Sequence, residues 1–208
     1  MGVSLKKGQG VSLKKSENDL SKVTIGLGWD IKEEKKGFLS GLLGGKEEDY
    51  DLDVIAFLCG ANGKVQNTGN DNLVGGDIVF FNNLQHSSGR IWLTGDNRTG
   101  AGEGDDEQIV VNLNELSQNY TKIVFVVQIY QGDQRNQSFE KVQNAFIRAV
   151  DAKDKEMVRF DLSGGESFAQ YRSLLFAELE RDGNDWKFNA IGTPSPSATF
   201  VSWLKQYI

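Results

Sequence analysis

Residues 122–130 have the sequence Lys-Ile-Val-Phe-Val-Val-Gln-Ile-Tyr, and the apolar run from Val124 to Val127 inside it decides the fold class. A continuous apolar run is typical of a central strand that is covered on both faces. Shorter runs that alternate apolar and polar residues lie before and after it, separated by Gly, Asn and Asp. This spacing predicts the short strands of an all-β sandwich or barrel.

The individual strands can be placed from the same alternation of apolar and polar residues. We predict them at residues 23–29, 50–58, 77–81, 90–94, 108–113, 122–130, 144–150, 156–162, 174–179 and 186–191. A repeat near the start, Gly-Val-Ser-Leu-Lys-Lys at 2–7 and again at 10–15, predicts two edge strands of a sheet.

Helical patterns are few. Residues 139–146 could form one or two turns of helix. At the C-terminus, Ser195, Pro196 and Ser197 offer a cap and a first-turn proline before an apolar stripe. This pattern predicts a short C-terminal helix that packs on a sheet.

The composition excludes several classes of protein. The 208 residues carry a formal net charge of −6, and no stretch concentrates Lys and Arg, so we expect no nucleic-acid partner. No apolar run approaches a membrane span, and nothing resembles a signal peptide. Since Cys59 is the single cysteine, no intrachain disulfide can form, and we expect a cytoplasmic location.

One segment, residues 32–48, interrupts the rhythm of strands. It contains the glycine-rich apolar stretch 37–45 between charged flanks. We predict a flexible insertion, because its glycines disfavour a stable amphipathic helix. The other interpretation is a hydrophobic surface at 37–45 for a partner or for peripheral membrane association.

The strongest chemical signal is the acidic stretch 95–107. It holds Asp96, Glu103, Asp105, Asp106 and Glu107 among glycines and has no bulky apolar residue. Like charges this close repel one another unless a cation lies among them, and calcium accepts many oxygen ligands in irregular geometry. The stretch is not an EF-hand, because its flanks are strand-like and Arg and Gly occupy two ligand positions.

Further oxygen ligands lie elsewhere in the chain. Asp49, Asp51 and Asp53 alternate along one strand, so their side chains share a face, either around a shared metal or as a solvated strand end. Asn82 and Asn83 follow an apolar strand, where they either make the turn or offer amide oxygens to calcium.

These motifs together resemble the TerD family of bacterial tellurite-resistance and stress proteins. The matching segments, which span nearly the whole chain, are Gly-Leu-Gly-Trp-Asp at 26–30, Asp-Leu-Asp at 51–53, Phe-Asn-Asn at 81–83, Thr-Gly-Asp-Asn-Arg-Thr-Gly at 94–100, Gly-Asp-Asp-Glu at 104–107, Lys-Ile-Val-Phe-Val-Val at 122–127, Asn-Ala-Phe-Ile-Arg at 144–148 and Trp-Lys-Phe at 186–188. The Gly-Asp-Asn-Arg motif is the most specific of them.

The resemblance implies one β-sandwich domain over residues 1–208, with two mainly antiparallel sheets and a short C-terminal helix. It also implies calcium sites, with two ions expected, at one end of the sandwich. Carried over by position, the ligands would be Asp51, Asp53, Asn82, Asn83, Asp96, Asn97, Asp105, Asp106 and Glu107, to which the acidic stretch adds Glu103. The implied role is resistance to tellurite, phage or colicins without catalysis, through other stress-response proteins as partners.

Three features depart from the family pattern. Glu103 stands where many relatives have Asp, and Tyr130, Gln131 and Gly132 replace a His-Asp-Ala stretch. The 32–48 insertion is also longer, which indicates a divergent paralogue of TerD.

Two other functions compete with a calcium-binding scaffold or sensor. A metal-dependent hydrolase of phosphoesters could use the paired carboxylates. However, His86 is the single histidine and falls in a hairpin-like turn, and Cys59 ends an apolar strand, so we expect no enzyme activity. The other possibility is a structural protein whose acidic loops are only solvated.

Overall fold

The computed structural model describes residues 2–31, 50–94, 104–162 and 168–208, and the predicted insertion at 32–48 lies outside them. Within these ranges the chain forms mainly β-strands, followed by one short helix, α1 (Val201–Leu204). The strands are β1 (Val3–Leu5), β2 (Gly10–Leu13), β3 (Val23–Ile31), β4 (Leu52–Cys59), β5 (Ile78–Val79), β6 (Ile91–Thr94), β7 (Glu107–Val111), β8 (Lys122–Ile129), β9 (Val142–Val150), β10 (Glu156–Asp161), β11 (Ser173–Asp182) and β12 (Asp185–Ser195).

The described strands form two six-stranded sheets. The first sheet has the order β1-β10-β9-β3-β7-β6, and the second has the order β2-β12-β11-β8-β4-β5. Neighbouring strands are antiparallel except for β1 and β10, which are parallel. Apolar side chains of both sheets share one buried core. The predicted β-sandwich of two mainly antiparallel sheets with a short C-terminal helix is confirmed.

Strand β8 is the central strand predicted from its apolar run. Ile123, Phe125 and Val127 contribute to the core between the sheets. Val124 and Val126 point the other way, into a second apolar cluster that includes Phe200, Trp203 and Leu204. Because α1 covers this outer face, β8 has no face toward water, which explains the absence of alternation in its sequence.

The short repeat forms edge strands, but not edges of one sheet as predicted. β1 lies at the edge of the first sheet and β2 at the edge of the second. Between them Gly8 adopts φ +81°, and the Gln9 N–H donates to the Lys6 carbonyl at 3.0 Å. Glycine tolerates this left-handed conformation, so the tight turn carries the second copy of the repeat across to the other sheet.

Both predicted helical segments contain a short helix. Residues 139–146 form a single turn of 3-10 helix, Phe139–Lys141, before β9 begins. The predicted cap at Ser195–Ser197 is wrong, because Ser195 is the last residue of β12 and the helix starts at Val201. None of the described helices is long and apolar enough to span a membrane.

The register of the strands places several loop ends together. β4 pairs with β8 from Leu52 opposite Ile129 to Cys59 opposite Lys122. β5 runs antiparallel to β4, with Phe57 opposite Ile78 and Ala56 opposite Val79. The chain therefore leaves β5 in the direction of the start of β4.

Candidate functional site

The predicted ligands that the structure describes lie at the ends of three strands. Asp51 and Asp53 are at the start of β4, Asn82 and Asn83 follow β5, and residues 105–107 are at the start of β7. We call this group, Asp51, Asp53, Asn82, Asn83, Asp105, Asp106 and Glu107, the acidic end of the sandwich. Asp96, Asn97 and Glu103 lie outside the described residues, as does Asp49.

Glu107 connects the two sheets at the acidic end. Glu107 is 3% exposed, and its Oε2 accepts a hydrogen bond from the Val54 N–H at 2.5 Å. β7 belongs to the first sheet and β4 to the second. A carboxylate of the first sheet therefore contacts the backbone of the second sheet at Val54, the residue that follows Asp53.

Asp106 is fixed against β3. Its Oδ2 accepts from the Trp29 N–H at 2.9 Å, and its own N–H donates to the Leu27 carbonyl at 2.7 Å. Asp106 is 9% exposed. These bonds hold the carboxylate in one position.

Asp105, by contrast, forms an ion pair. Arg148 Nε donates to Asp105 Oδ1 at 2.7 Å, and Gln108 Nε2 donates to Oδ2 at 3.2 Å. Arg148 Nη1 also lies 3.3 Å from Glu156 Oε2. The hydrogen bond to Asp105 raises the pKa of the Arg148 guanidinium. Arg148 is thus an internal cation for this carboxylate, and the sequence motif that ends in Arg148 did not reveal that contact.

The glycines of the Gly-Leu-Gly-Trp-Asp motif make room for this loop. A Cβ on Gly26 would overlap the Asp105 carboxylate. A Cβ on Gly28 would overlap the Phe146 ring and approach the Gly104 carbonyl. Only glycine lets the start of β7 and its loop lie directly on β3.

Asp53 is held from the second sheet. It is 7% exposed, and its Oδ2 accepts from Gln128 Nε2 at 2.9 Å. Gln128 lies directly opposite on β8. The sequence motifs did not single out Gln128, although a lone polar residue at the end of an apolar run was a possible signal.

The two asparagines have different environments. The Asn83 side chain is buried, donates to the Ile78 carbonyl at 2.6 Å and accepts from the Gly75 N–H at 3.3 Å. Asn82 is exposed. The Asn83 carboxamide therefore ties the turn after β5 to Gly75 and Ile78, which fits a turn-forming role, and its role as a calcium ligand stays a prediction.

Within residues 2–31, 50–94, 104–162 and 168–208, no three His, Cys, Asp or Glu side chains are grouped so that they could hold a metal ion. The two ions and their ligand set remain predictions. The structure gives the positions of the predicted ligands that it describes and hydrogen-bond partners for several of them.

A second buried polar network surrounds His86. Ser88 N–H donates to His86 Nδ1 at 3.2 Å, so Nε2 carries the proton and donates to Asp77 Oδ1 at 3.0 Å. Tyr120 Oη donates to the same oxygen at 2.7 Å. Ser88 Oγ lies 2.8 Å from Nδ1 and accepts from the Arg90 N–H at 3.2 Å. Ser88, His86 and Asp77 are connected in the same sequence of contacts as the serine, histidine and aspartate of an acyl-transfer triad. In this protein their hydrogen bonds tie the turn that contains His86 and Ser88 to Asp77.

Replacing Tyr120 by Phe is expected to lower the free energy of unfolding by about 2 kcal/mol at pH 7, because a charge-assisted hydrogen bond to buried Asp77 is lost. Burial and the bond to Asp77 raise the pKa of the Tyr120 hydroxyl above its usual value of 10.0. The hydroxyl therefore contributes fully below pH 10 and progressively less above it, so the two proteins should converge in alkaline buffer.

Urea unfolding from pH 7 to pH 11 measures this difference. Tyr207→Phe is the matched control, since its hydroxyl makes a longer bond of 3.4 Å to Glu178. If Tyr120→Phe changed the free energy of unfolding by less than about 0.5 kcal/mol, or if the difference grew above pH 10, the result would contradict the role of this hydroxyl in the network.

Cys59 is fully buried on the outer face of β4. Burial raises the pKa of its thiol to about 12. The reactive species of cysteine is the thiolate, which this environment disfavours, so Cys59 acts as a small core residue.

The whole chain is similar to proteins of known families. The family model described as TerD domain matches residues 1–206. The tellurium resistance protein TerX of Serratia marcescens is 67% identical over 100% of both chains. The stress response protein SCP2 of Bacillus subtilis is 39% identical over 100% of both chains, and TerD of Serratia marcescens is 41% identical over 92% of this chain and 90% of that protein.

Solved structures show the same fold. A crystal structure of a homologue of telluride resistance protein (TerD) from Streptomyces coelicolor superimposes with a TM-score of 0.61 at 21% identity, over 87% of this chain and 94% of that one. A protein of unknown function superimposes with a TM-score of 0.64 at 22% identity. The chain belongs to the TerD family, which includes tellurium-resistance and stress-response proteins.

Proposed function

We propose that this protein binds calcium at its acidic end and acts as a non-catalytic scaffold or sensor in a cytoplasmic stress response. The observation that carries the proposal is that Glu107 of β7 accepts a hydrogen bond from the Val54 N–H of β4, which brings Glu107 next to the residue that follows Asp53. Family membership supports the stress-response part, because relatives are named for tellurium resistance and stress response.

The chemistry of the acidic end suits calcium. Asp53, Asp106 and Glu107 each accept a hydrogen bond from the protein. A carboxylate has about four lone-pair positions, so a hydrogen bond of this kind orients it and is compatible with cation binding. Calcium takes six to eight oxygen ligands and tolerates the irregular geometry of loop ends.

A bound cation would change the surface that the acidic end presents to partner proteins. It would reduce the repulsion among the carboxylates and order the loops that carry them. The partners we propose are other stress-response proteins, with peripheral membrane association through residues 37–45 as a further possibility outside the described residues. The expected stoichiometry is two ions.

Calorimetric titration of calcium into chelator-stripped protein tests the proposal. We expect saturable binding that Asp106→Asn weakens at least about tenfold, because the variant keeps an acceptor for the Trp29 N–H but loses the charge. Asp185→Asn is the matched control. Its carboxylate accepts from the Lys15 N–H at the turn between β11 and β12, at the opposite end of the second sheet.

Competition with magnesium and a stability measurement complete the test. A specific site should raise the free energy of unfolding by about 2.7 kcal/mol at a hundredfold excess of calcium over its dissociation constant. No heat at millimolar calcium, or equal weakening by Asp106→Asn and Asp185→Asn, would overturn the proposal. Metal-dependent hydrolysis of phosphoesters by the pure protein would favour the hydrolase instead.

A further inference from the structure

The turn before β6 places an exposed hydroxyl beside a buried base. Ser88 is exposed, whereas His86, two residues earlier, is 4% exposed. Ser88 Oγ lies 2.8 Å from His86 Nδ1 and accepts from the Arg90 N–H at 3.2 Å. Because Nδ1 carries no proton, the Ser88 hydroxyl donates its own proton to this nitrogen.

The His86 imidazole is oriented from its other side by Asp77. Nε2 donates to Asp77 Oδ1 at 3.0 Å, and Asp77 is also 4% exposed. Asp77 is fixed in turn, because Tyr120 Oη donates to Oδ1 at 2.7 Å and the Asn67 N–H donates to Oδ2 at 2.9 Å. The hydrogen bond at one ring nitrogen decides which nitrogen is left as the base, and here it leaves Nδ1.

These contacts meet the requirements of an activated serine. A serine hydroxyl is a weak nucleophile until a base within hydrogen-bond distance accepts its proton and a third group orients that base. Ser88, His86 and Asp77 supply these three parts, with Nδ1 rather than Nε2 facing the hydroxyl. The Asp77 carboxylate would also stabilise the imidazolium that forms when His86 accepts the proton.

The backbone donors of the same turn limit what such a serine can do. An acyl-transfer enzyme stabilises the oxyanion of its transition state with N–H groups aimed at it. Here the Ser88 N–H donates to His86 Nδ1 at 3.2 Å, and the Gly89 N–H donates to the His86 carbonyl at 2.9 Å. The Arg90 N–H donates to Ser88 Oγ itself. Since these three groups already have acceptors, we expect reaction only with donors that carry a good leaving group, and slow hydrolysis of the ester that forms.

We propose that Ser88 is a modification site that accepts an acyl group from activated acyl donors, such as acyl phosphates and aryl esters. Ser88 Oγ forms an ester bond to the acyl carbon, and the bond between that carbon and the leaving group breaks. The hydroxyl proton passes to His86 Nδ1 and from there to the leaving group or to water.

This inference goes beyond the proposed calcium binding and does not depend on it. The turn that contains Ser88 leads into Ile91, which pairs with Val111 at the last residue of β7. The acidic end includes Glu107, the first residue of β7. The two sites therefore lie at opposite ends of the same strand, and either can fail without the other.

Acetylation by p-nitrophenyl acetate, in buffer that contains a chelator, tests the proposal. Tandem mass spectrometry identifies which residues carry an acetyl group at each time. Ser87 is the internal reference, because it is the neighbouring residue and is also exposed. General-base catalysis contributes about 10²–10⁴-fold, so we expect Ser88 to be acetylated at least about a hundredfold faster than Ser87. Equal rates at the two serines would overturn the proposal.

Two variants identify the base. His86→Gln should reduce the acetylation rate of Ser88 to that of Ser87, because no ring nitrogen remains to accept the proton. Gln85→Ala changes an exposed side chain on the preceding residue and, as the matched control, should leave the rate unchanged. A rate at Ser88 that survives His86→Gln would overturn the assignment of the base and the proposal with it.

The number of equivalents of p-nitrophenol tests the limit to one acylation. Release that continues beyond one equivalent and is abolished by Ser88→Ala would overturn a stable acyl-serine and show turnover instead. The comparison of Ser87 with Ser88 in the unmodified protein decides the question even if His86→Gln does not fold.

Discussion

Replacing Glu107 by Ala is expected to lower the free energy of unfolding by about 3 kcal/mol, measured by urea unfolding in chelator. The substitution removes a buried carboxylate and leaves the Val54 N–H without this acceptor between the sheets. An unsatisfied buried donor costs its full desolvation, and the missing side chain leaves a cavity.

Two further variants separate the causes. Glu107→Gln keeps an acceptor oxygen of the same shape and should cost only about 1 kcal/mol, the charge-assisted part of the bond. Glu115→Ala removes a carboxylate from an exposed ion pair with Arg90 and should cost less than about 1 kcal/mol. If Glu107→Ala were no more destabilising than Glu115→Ala, Glu107 would not hold the sheets together.

Replacing Gly28 by Ala should cost at least about 2 kcal/mol and also weaken calcium binding. The added Cβ overlaps the Phe146 ring, which cannot retreat freely because the Arg159 guanidinium stacks on it at 3.6 Å. The Gly104 carbonyl also lies 2.6 Å from the added atom. Gly104 directly precedes Asp105 and Asp106, so a displacement of Gly104 would also shift these predicted ligands.

Gly60→Ala is the matched control for this substitution. Its Cβ meets only the flexible end of Gln66, at 3.1 Å, and Gly60 has no left-handed backbone requirement. We expect a change below about 1 kcal/mol in unfolding experiments and unchanged calcium heat. A Gly28→Ala protein as stable as Gly60→Ala would show that the loop does not lie tightly on β3.

The candidate site was only partly predictable from the sequence, because the partners of its acidic residues lie far away in the chain. The acidic residues are visible in the sequence because like charges rarely cluster without cause. Their partners are not visible, since Arg148 is 43 residues from Asp105 and Gln128 is 75 residues from Asp53. The turn-forming role of Asn83 likewise depends on Gly75 and Ile78, which the sequence pattern does not connect to it.

The sequence by itself determined the all-β class, the approximate positions of the strands along the chain and the central place of β8, because periodicity over a few neighbouring residues encodes which faces of a strand are buried. The family likeness was also visible in local motifs. Only the tertiary structure decided which sheet each copy of the short repeat joins, that Glu107 reaches Val54 across the sandwich, and that Gln128 links Asp53 to Phe200. These outcomes depend on pairing between residues far apart in the chain, and no local pattern records which distant backbone group will satisfy a given side chain.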